Sequence, residues 1–324
     1  MLSLKEIQAP VAEHLGIFED KFRDSLKSSV PLLDKIMHYI IKRKGKQMRP
    51  LFVFLTASVT GGIKESTYRA ASLIELLHTA TLVHDDVVDD SNLRRGFFSI
   101  NALWKNKISV LVGDYLLSKG LLFSLENNDY NLLRIVSNAV REMIEGELLQ
   151  IEKARHLDIG EDVYFEIIRK KTASLIASCC ACGSASSGSL PETIEKMHLF
   201  GEHTGIAFQI KDDLFDYEAG NVTGKPSAID IRDRKMTLPL IYLLNHSGFA
   251  EKRWIVNTVK NHNTEPVRVT ELIEKVKTSG GIVYAREKML EHRQKAIDLL
   301  RTFPESIYRN SLEQLVIFTT ERNK

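Results

Sequence analysis

Residues 76–90 read LLHTATLVHDDVVDD, an apolar helical run that ends in clustered aspartates. A second stretch of the same kind, FQIKDDLFDY, covers residues 208–217. Each contains the pattern D-D-x-x-D, and positions i and i+4 share one face of a helix, so each motif places two carboxylates side by side. The paired residues are Asp85 with Asp89 and Asp212 with Asp216. One such helix is suggestive; two facing helices would clamp a diphosphate.

The paired carboxylates predict a metal site. Like charges this close repel each other and are costly beside apolar neighbours unless cations neutralise them. Oxygen ligands in this number suit Mg²⁺, which commonly binds through one or two carboxylates and the phosphates of a substrate. The alternative for either motif alone is a solvated acidic patch at a helix end. An EF-hand is a poorer match, because neither stretch has alternating Asp or Asn followed by Gly and a distant Glu.

Length and composition describe an ordinary globular protein. The chain has 324 residues, of which 44% are hydrophobic and 27% charged. No Pro- or Ser-rich linker and no repeat divides it, so we expect a single domain over residues 1–324. The formal net charge of +2 provides no global field for nucleic acid, and we expect no nucleic-acid partner.

The sequence lacks the signals of secretion and membrane insertion. The first residues carry charges without the apolar core of a signal peptide, and no uncharged apolar run reaches the roughly 18 residues of a membrane span. The three cysteines, Cys179, Cys180 and Cys182, are clustered and odd in number. That pattern favours reduced thiols in an apolar helix over disulfides or a zinc site. We expect a cytoplasmic protein with no membrane span.

Helical periodicity dominates the chain. It predicts one long helix over residues 11–43 and another that has Ser66 as its N-cap and runs to about Asp90. Convincing alternating strand segments are absent. The longest non-periodic stretch, residues 219–234, has the length of a lid or binding loop. These patterns predict an all-α, single-domain helical bundle.

Basic residues accompany the first acidic motif. Arg94 and Arg95 come just after it, where two guanidiniums can bind phosphate oxygens bidentately. Lys46 and Arg49 lie three residues apart at a loop-to-helix junction, a position that favours anions. Surface arginine pairs are common, so neither pair alone establishes a site. Because these basic residues accompany the carboxylates of the first motif, together they predict diphosphate binding.

Polar residues surround the second motif in the same way, and they are Lys171, Thr172, Gln209, Lys225 and Lys235. Gln209 precedes Asp212 by three residues and shares its helix face. His78 precedes Asp85 by two helical turns and also lies on the acidic face. His78 could contact a ligand, or it could be a packed or surface histidine. The sequence supports these two interpretations about equally.

Several blocks of the chain resemble, in order, those of the trans-isoprenyl diphosphate synthases, also called polyprenyl synthetases. The blocks are GKQMRP (45–50), ELLHTATLVHDDVVDDSNLRRG (75–96), VGDYLLSKG (112–120), GELLQ (146–150), KT (171–172), FQIKDDLFDY (208–217) and KMTLP (235–239). The resemblance implies an all-α bundle of the isoprenoid synthase type, with a deep central cavity, that usually forms a homodimer. It also implies a transferase that condenses isopentenyl diphosphate with an allylic diphosphate and releases pyrophosphate.

The resemblance further implies roles for individual residues. A magnesium cluster, about three ions per site, would bind Asp85, Asp89 and Asp212. Its supporting carboxylates would be Asp86, Asp213 and Asp216. The allylic diphosphate would contact Arg94, Lys171, Thr172, Gln209, Lys225 and Lys235, of which Lys171, Thr172, Gln209 and Lys235 would serve catalysis. The isopentenyl diphosphate pocket would contain Lys46, Arg49, His78 and Arg95.

Two residues depart from the family pattern. Gln47 occupies a position that is often Arg, and Arg234 stands where Gly often precedes the lysine of the KMTLP block. Because Lys46, Arg49 and Lys235 remain, we expect activity.

The residues below the first motif predict the length of the product. Thr81 lies one turn below Asp85, with Ala80 beside it, at a level where short-chain relatives typically carry bulky aromatic residues. Two small side chains leave the tunnel open toward Leu77, so we expect a long all-trans product, about C30 to C40, suited to a quinone side chain. Candidates for a lower floor are Leu121, Leu122 and Phe123. The alternative is that these are all simply core residues.

Several other functions compete with this one. One is a head-to-head prenyl condenser, which shares the metals and the fold. A terpene cyclase shares the metals and the fold, but it has no second diphosphate for Lys46, Arg49, His78 and Arg95 to hold. A geranylgeranyl diphosphate synthase differs only in tunnel depth, which sequence does not measure. A non-catalytic subunit of a heteromeric prenyl synthase typically loses one or both aspartate motifs, and this chain keeps both.

Overall fold

The computed structural model describes residues 2–42, 45, 47–94, 96–157, 159–218 and 229–322. Within these ranges the chain is built almost entirely of α-helices. The helices before the first motif, and the one that carries it, are α1 (Leu4–Gln8), α2 (Ala12–Ser25), α3 (Pro31–Lys42), α4 (Met48–Thr60) and α5 (Glu65–Val88). The middle helices are α6 (Ile100–Glu126), α7 (Tyr130–His156), α8 (Glu161–Ile168), α9 (Ser174–Ser186) and α10 (Pro191–Glu218). The remaining helices are α11 (Ile229–Arg232), α12 (Leu238–His246), α13 (Phe249–Asn261), α14 (Pro266–Thr278), α15 (Gly281–Arg301) and α16 (Ile307–Glu321).

The all-α prediction is confirmed, with one local exception. A two-stranded antiparallel ribbon, β1 (Leu93–Arg94) and β2 (Phe97–Phe98), follows the first aspartate motif, where sequence analysis predicted no strand. Gly96 has a φ of 81°, a conformation that glycine adopts without a steric penalty, and it allows the chain to reverse within two residues. A ribbon this short has no alternating pattern to detect.

Two predicted helix boundaries were wrong. The single helix predicted over residues 11–43 is two helices, because α2 ends at Ser25 and Pro31 starts α3 at a position where its missing N–H is not needed. The second error concerns α5, whose N-cap is Lys64 rather than Ser66. The hydroxyl of Ser66 instead donates to the carbonyl of Ser186 at 2.7 Å, so it ties α5 to α9.

The core forms around α9, which packs against α4, α5, α7 and α10. Its sequence ASCCACGSA provides small side chains that allow this close packing. All three cysteines are free and fully buried, which confirms the prediction of reduced thiols in a core helix. Burial raises the pKa of the Cys180 thiol to about 12, so it stays protonated and unreactive. Because α9 contacts both α5 and α10, it connects the two helices that carry the aspartate motifs.

Helix α6 has an unusually apolar surface. Among the described residues it is the one helix long and apolar enough to cross a membrane, and a third of its apolar window is buried. This is weak evidence for a span, because core helices of water-soluble proteins satisfy the same criteria. The outward-facing apolar residues of α6 are Leu103, Val110, Leu111, Leu121, Leu122 and Leu125.

Candidate active site

A cavity of about 330 Å³ lies between α7, α8 and α10, at the second aspartate motif. Its lining brings together most of the residues that sequence analysis placed there. The predicted residues that line it are Lys171, Thr172, Gln209, Asp212, Asp213, Asp216 and Lys235. Apolar side chains of α8, among them Ile167 and Ile168, form another part of the wall. The cavity therefore joins a charged side to an apolar side.

Each aspartate of the second motif has its own partner. Asp212 forms an ion pair with Arg322, which follows α16. The two oxygens of Asp213 accept hydrogen bonds from the hydroxyl of Tyr164 at 2.7 Å and from Nε2 of Gln209 at 2.8 Å. Asp216 accepts the backbone N–H of Asp230 at 2.7 Å, and this bond ties the start of α11 to α10.

Burial makes this group of carboxylates reluctant to ionise. It raises the pKa of Asp213 to about 7, although the hydrogen bonds from Tyr164 and Gln209 act in the opposite direction. It also raises the pKa of Asp212 to about 6, against the effect of Arg322. For Asp230, burial and then the nearby Asp216 raise the pKa to about 6. Buried, mutually repelling carboxylates of this kind are stabilised by a bound cation.

The donor set suits Mg²⁺, but the site is not preassembled. Within the described ranges, no group of three carboxylate, imidazole or thiol side chains converges on one metal position. Magnesium commonly needs only one or two carboxylates when substrate phosphates and water complete its shell. The oxygens of Asp212 and Asp216 fit that requirement. Magnesium binding itself stays a prediction.

Lys171 and Thr172 lie in a short π-helical segment, Arg169–Ala173, between α8 and α9. Short π-helical segments of this kind are frequent at functional sites. Gly146 of α7 makes the segment possible, because a Cβ there would lie 2.7 Å from the backbone N of Lys171. Two residues that follow Gly146 in the GELLQ block then hold the lysine. Glu147 forms an ion pair with it, and Gln150 accepts a hydrogen bond from its Nζ at 3.2 Å.

Thr172 and Gln209 meet across the cavity. The hydroxyl of Thr172 donates to Oε1 of Gln209 at 2.9 Å. Their two oxygens lie beside the aspartates and the apolar wall, which is where an allylic carbon would be expected to sit. This contact brings the two residues together in one cavity, and their predicted role toward an allylic substrate stays a prediction.

Lys235 also lines the cavity. Two acidic residues in and just after α11 hold its ammonium group. Its Nζ is 3.4 Å from Oδ1 of Asp230 and 3.1 Å from Oδ2 of Asp233. Burial works against its charge, but these carboxylates outweigh burial and raise the pKa of Lys235. Sequence analysis missed Asp230, although the acidic DIRD run beside Lys235 was a signal for it. It also missed Tyr164 and Arg322, which are single residues with no pattern around them.

The first motif occupies the C-terminal end of α5. Asp85 and Asp89 are exposed, whereas Asp86 is 3% exposed. Asp89 caps the helix, and its N–H donates to the carbonyl of Asp85 at 2.8 Å. Among the described residues that line the cavity, neither Asp85 nor Asp89 is present. That the two motifs face each other across one substrate stays a prediction.

Only some residues of the predicted isopentenyl diphosphate pocket lie within the part of the chain that the structure describes. Arg49 forms a bidentate pair with Glu75 of α5, with N–O distances of 2.6 and 3.2 Å. Burial works against the charge of Arg49, but Glu75 outweighs it and raises the pKa of the guanidinium. His78 is half-buried, three residues further along α5. Lys46, Arg95 and Lys225 lie outside the described residues, and for Arg94 the description covers only its backbone, in β1.

The predicted product-length residues lie on α5 at different depths. Ala80 is fully buried, Leu77 is 3% exposed, and Thr81 is half-buried with its hydroxyl bonded to the carbonyl of His78 at 2.8 Å. Of the three candidates for a lower floor, Leu121 and Leu122 were predicted wrongly, whereas Phe123 is half-buried. Leu121 and Leu122 are 43% and 56% exposed because they point outward from α6.

Gly120 of α6 faces this part of α5. A Cβ there would lie 3.3 Å from Cδ2 of Leu77 and 3.4 Å from Cδ1 of Leu73. Gly120 thus lets α6 approach the two leucines that continue the wall below Ala80.

Comparison with known proteins gives one consistent family. The polyprenyl synthetase family model matches residues 30–276. The octaprenyl diphosphate synthase of Escherichia coli (strain K12) is 32% identical over 324 residues, which cover 100% of both chains. A crystal structure of a decaprenyl diphosphate synthase from Rhodobacter capsulatus has a TM-score of 0.93 and 30% identity, and the match covers 99% of this chain and 100% of that one.

A shorter-chain relative is also similar. The crystal structure of a geranylgeranyl pyrophosphate synthase from Bacteroides thetaiotaomicron is 37% identical, with a TM-score of 0.83, and the match covers 98% of this chain and 99% of that one. Likeness over the whole chain therefore does not separate long-chain from shorter-chain products.

Proposed function

Because the chain belongs to the polyprenyl synthetase family and is a prenyltransferase, we propose that it makes a long all-trans polyprenyl diphosphate. The substrates would be isopentenyl diphosphate and an allylic diphosphate such as farnesyl diphosphate. One domain over residues 1–324 would carry the activity, in the cytoplasm, and the product would provide quinone side chains. The observation that carries the proposal is the cavity that joins the carboxylates of the second motif, Lys171 and Lys235 to an apolar wall.

The charged side of the cavity would bind the allylic diphosphate. Mg²⁺ held by Asp212, Asp216 and the aspartates of the first motif would stabilise the departing pyrophosphate as a Lewis acid. Lys171 and Lys235, which line the same cavity, would neutralise the remaining phosphate charge. Their present partners are carboxylates, Glu147 for Lys171 and Asp230 for Lys235, so both ammonium groups are already oriented before a diphosphate arrives.

The remaining polar groups would stabilise the allylic cation. The oxygens of Thr172 and Gln209 are dipoles fixed by their mutual hydrogen bond, and fixed dipoles stabilise developing charge without reorganising. Ile167 and Ile168 help to exclude water, which would otherwise capture the cation. The proton lost after each condensation would pass to pyrophosphate, so no protein base is assigned.

Product length would be decided below Ala80 and Thr81. Neither side chain is bulky, so neither would close the space below the first motif as an aromatic residue would. This observation favours a product of about C30 to C40. The second candidate is geranylgeranyl diphosphate synthesis, favoured by the 37% identity to the enzyme from Bacteroides thetaiotaomicron. A non-catalytic subunit is less favoured, because both aspartate motifs are intact.

The exposed apolar face of α6 would be covered by a second copy of the chain. Residues Ile144, Leu148 and Ile151 of α7 extend this face, and they follow helical spacing with exposures of 53%, 61% and 40%. An apolar surface of this kind on two helices is typical of a homodimer interface. Analytical ultracentrifugation should give twice the chain mass of 36.8 kDa, and Leu148→Lys should shift the protein to the monomer. A monomeric wild-type protein would contradict the homodimer.

The proposed function is tested by incubating the pure protein with Mg²⁺, labelled isopentenyl diphosphate and farnesyl diphosphate. Labelled long prenyl diphosphates are the expected product, and a product that stops at the geranylgeranyl length would favour the second candidate. No incorporation of label by the pure protein would point to the subunit function. Asp212→Ala is the matched control, and it should abolish incorporation.

A further inference from the structure

Tyr164 of α8 is a buried tyrosine with a specific partner in the cavity. It is 4% exposed, and its hydroxyl donates to Oδ2 of Asp213 at 2.7 Å. Burial, followed by the nearby Asp213, raises the pKa of the Tyr164 phenol well above its ordinary value. The geometry of this contact makes Tyr164 the hydrogen-bond donor and Asp213 the acceptor.

Asp213 connects Tyr164 to Gln209, because it accepts a hydrogen bond from each of them. Its other oxygen, Oδ1, accepts Nε2 of Gln209 at 2.8 Å, and Asp213 itself is 6% exposed. A glutamine amide has a donor end and an acceptor end. If the amide were flipped, Oε1 of Gln209 would face an oxygen of Asp213, and the two acceptors would repel each other while Asp213 is ionised, the form that a bound cation favours. A carboxylate held in place thus determines which way the amide points.

The acceptor end of the amide then points toward Thr172. Oε1 of Gln209 accepts the Thr172 hydroxyl at 2.9 Å, and both residues line the cavity. The hydrogen bonds form one continuous series, in which Thr172 donates to Gln209, Gln209 donates to Asp213, and Tyr164 donates to Asp213 from the other side. Without the Tyr164 hydroxyl, one oxygen of a buried carboxylate loses its donor, and rotation of the carboxylate to regain one would release Gln209.

We propose that Tyr164 is a positioning residue that acts through Asp213 to hold the carbonyl oxygen of Gln209 on the Thr172 side of the cavity. The proposal rests on the proposed function, since the oriented oxygen matters only if a cation develops beside it. Tyr164 would not contact the reacting carbons. Its effect should appear in the rate of the chemical step and not in the binding of either diphosphate.

The kinetic test is a double-mutant cycle on Tyr164→Phe and Gln209→Ala. Tyr164→Phe removes only the hydroxyl, and we expect kcat to fall about tenfold with KM for both substrates unchanged within about twofold. In the Gln209→Ala background no amide remains to be oriented, so the same change should alter kcat by less than about twofold. Independent, multiplying effects of the two substitutions would overturn the proposal.

A second measurement does not depend on turnover. In protein labelled with ¹⁵N-glutamine, the side-chain amide signals of Gln209, assigned with Gln209→Ala, should shift and broaden in Tyr164→Phe. They should stay in place in Tyr68→Phe, which removes another buried tyrosine hydroxyl, bonded to His14 at 2.6 Å. Unmoved Gln209 signals in Tyr164→Phe would overturn the proposal. Absence of prenyl diphosphate from the wild-type protein would instead refute the proposed function, and the amide signals would still report on the orientation.

Discussion

The guanidinium of Arg322 forms an ion pair with the carboxylate of Asp212, the first residue of the second aspartate motif. The guanidinium also lies over the ring of Phe208, 4.3 Å from its centroid, and 5.5 Å from that of Phe215. Arg322 is thereby held at a carboxylate that the family pattern assigns to Mg²⁺. The positive charge of the guanidinium repels a metal ion at the same carboxylate, so the two should compete.

This competition predicts the effect of Arg322→Gln on metal binding. Removal of the guanidinium leaves Asp212 without its partner, and we expect the affinity for Mg²⁺ to rise about threefold to tenfold, since a nearby opposite charge typically contributes on this scale. Calorimetric titration of the substrate-free protein measures the affinity directly. Arg322→Lys keeps the positive charge and is the matched control. An unchanged affinity in Arg322→Gln would mean that the ion pair and the metal site are independent.

Gly146 should be intolerant of any side chain. A methyl group there would lie 2.7 Å from the backbone N of Lys171, so α7 and the π-helical segment must separate. Overpacking of this kind costs about 1–3 kcal/mol, and the displacement should also lower kcat at least about tenfold because Lys171 and Thr172 move together. Gly16→Ala is the control, since a Cβ on Gly16 meets nothing within 4 Å and alanine favours the helix. Denaturant unfolding and steady-state kinetics measure the two effects, and equal stability of the two variants would refute the packing argument.

Arg234 occupies a backbone conformation that favours glycine, with a φ of 57°. This is the position where the family often has glycine, so the departure noted in the sequence introduces local strain. Arg234→Gly should relieve a steric penalty of about 1 kcal/mol, partly offset by the greater entropy of glycine in the unfolded chain. We expect a small gain in the free energy of unfolding, measured by denaturant titration. Arg234→Ala removes the same side chain without relieving the strain, and an equal gain in that variant would contradict the explanation.

A histidine pair away from the cavity predicts how stability depends on pH. Nδ1 of His203 in α10 is 3.2 Å from Nδ1 of His292 in α15, and the ring of His292 stacks on Phe165. Burial, then the neighbouring His203, lowers the pKa of His292 to about 4, and burial also lowers the pKa of His203. The charged groups around the pair are Glu166, Arg169, Lys288, Glu291 and Lys295.

Histidines whose pKa is lower in the folded state favour folding only while they are neutral. Their contribution is complete above the unfolded pKa of about 6.5 and is lost as the pH falls toward 4. The raised pKa values of Asp212, Asp213 and Asp230 act in the opposite direction over this interval, so the contribution of the histidine pair is read from the difference between two proteins. We expect the Tm of His292→Gln to rise relative to that of the wild type as the pH falls from 6.5 toward 4. His246→Gln, at an exposed site on α12, should leave the slope of the wild type. The same slope in His292→Gln as in the wild type would show that the pair does not control acid sensitivity.

The predicted site residues that the structure brings together in one cavity are those that belong to a sequence pattern. Asp212, Asp213 and Gln209 lie on one face of α10 because helical spacing puts them there, and the KT block carried Lys171 and Thr172 to the same cavity. Their hydrogen-bond partners could not be predicted from the spacing, because Gln209 bonds to Asp213 rather than to Asp212. Local spacing identifies a shared face, whereas hydrogen-bond partners depend on rotamers that only the folded neighbours select.

The features that sequence missed depend on contacts between distant segments. Tyr164 lies 49 residues from Asp213, and Arg322 lies 110 residues from Asp212. A single polar residue in an apolar helix has no periodicity that marks such a contact. The outward orientation of Leu121 and Leu122 was missed for a related reason. An apolar face that another chain could cover has the same composition as one that faces the core.

The claim that this protein makes a long product is tested most directly by the product length of the wild type and of Ala80→Phe. Reverse-phase chromatography of dephosphorylated products should show about C30 to C40 for the wild type and a shorter series for the variant. The reason is that a phenyl ring on the wall would project into the tunnel and obstruct the growing chain. Ala80 is fully buried, so Thr81→Phe, at a half-buried position one residue further, provides a second variant if Ala80→Phe does not fold. A wild-type product that ends at the geranylgeranyl length, or an unchanged length distribution in both folded variants, would contradict the account.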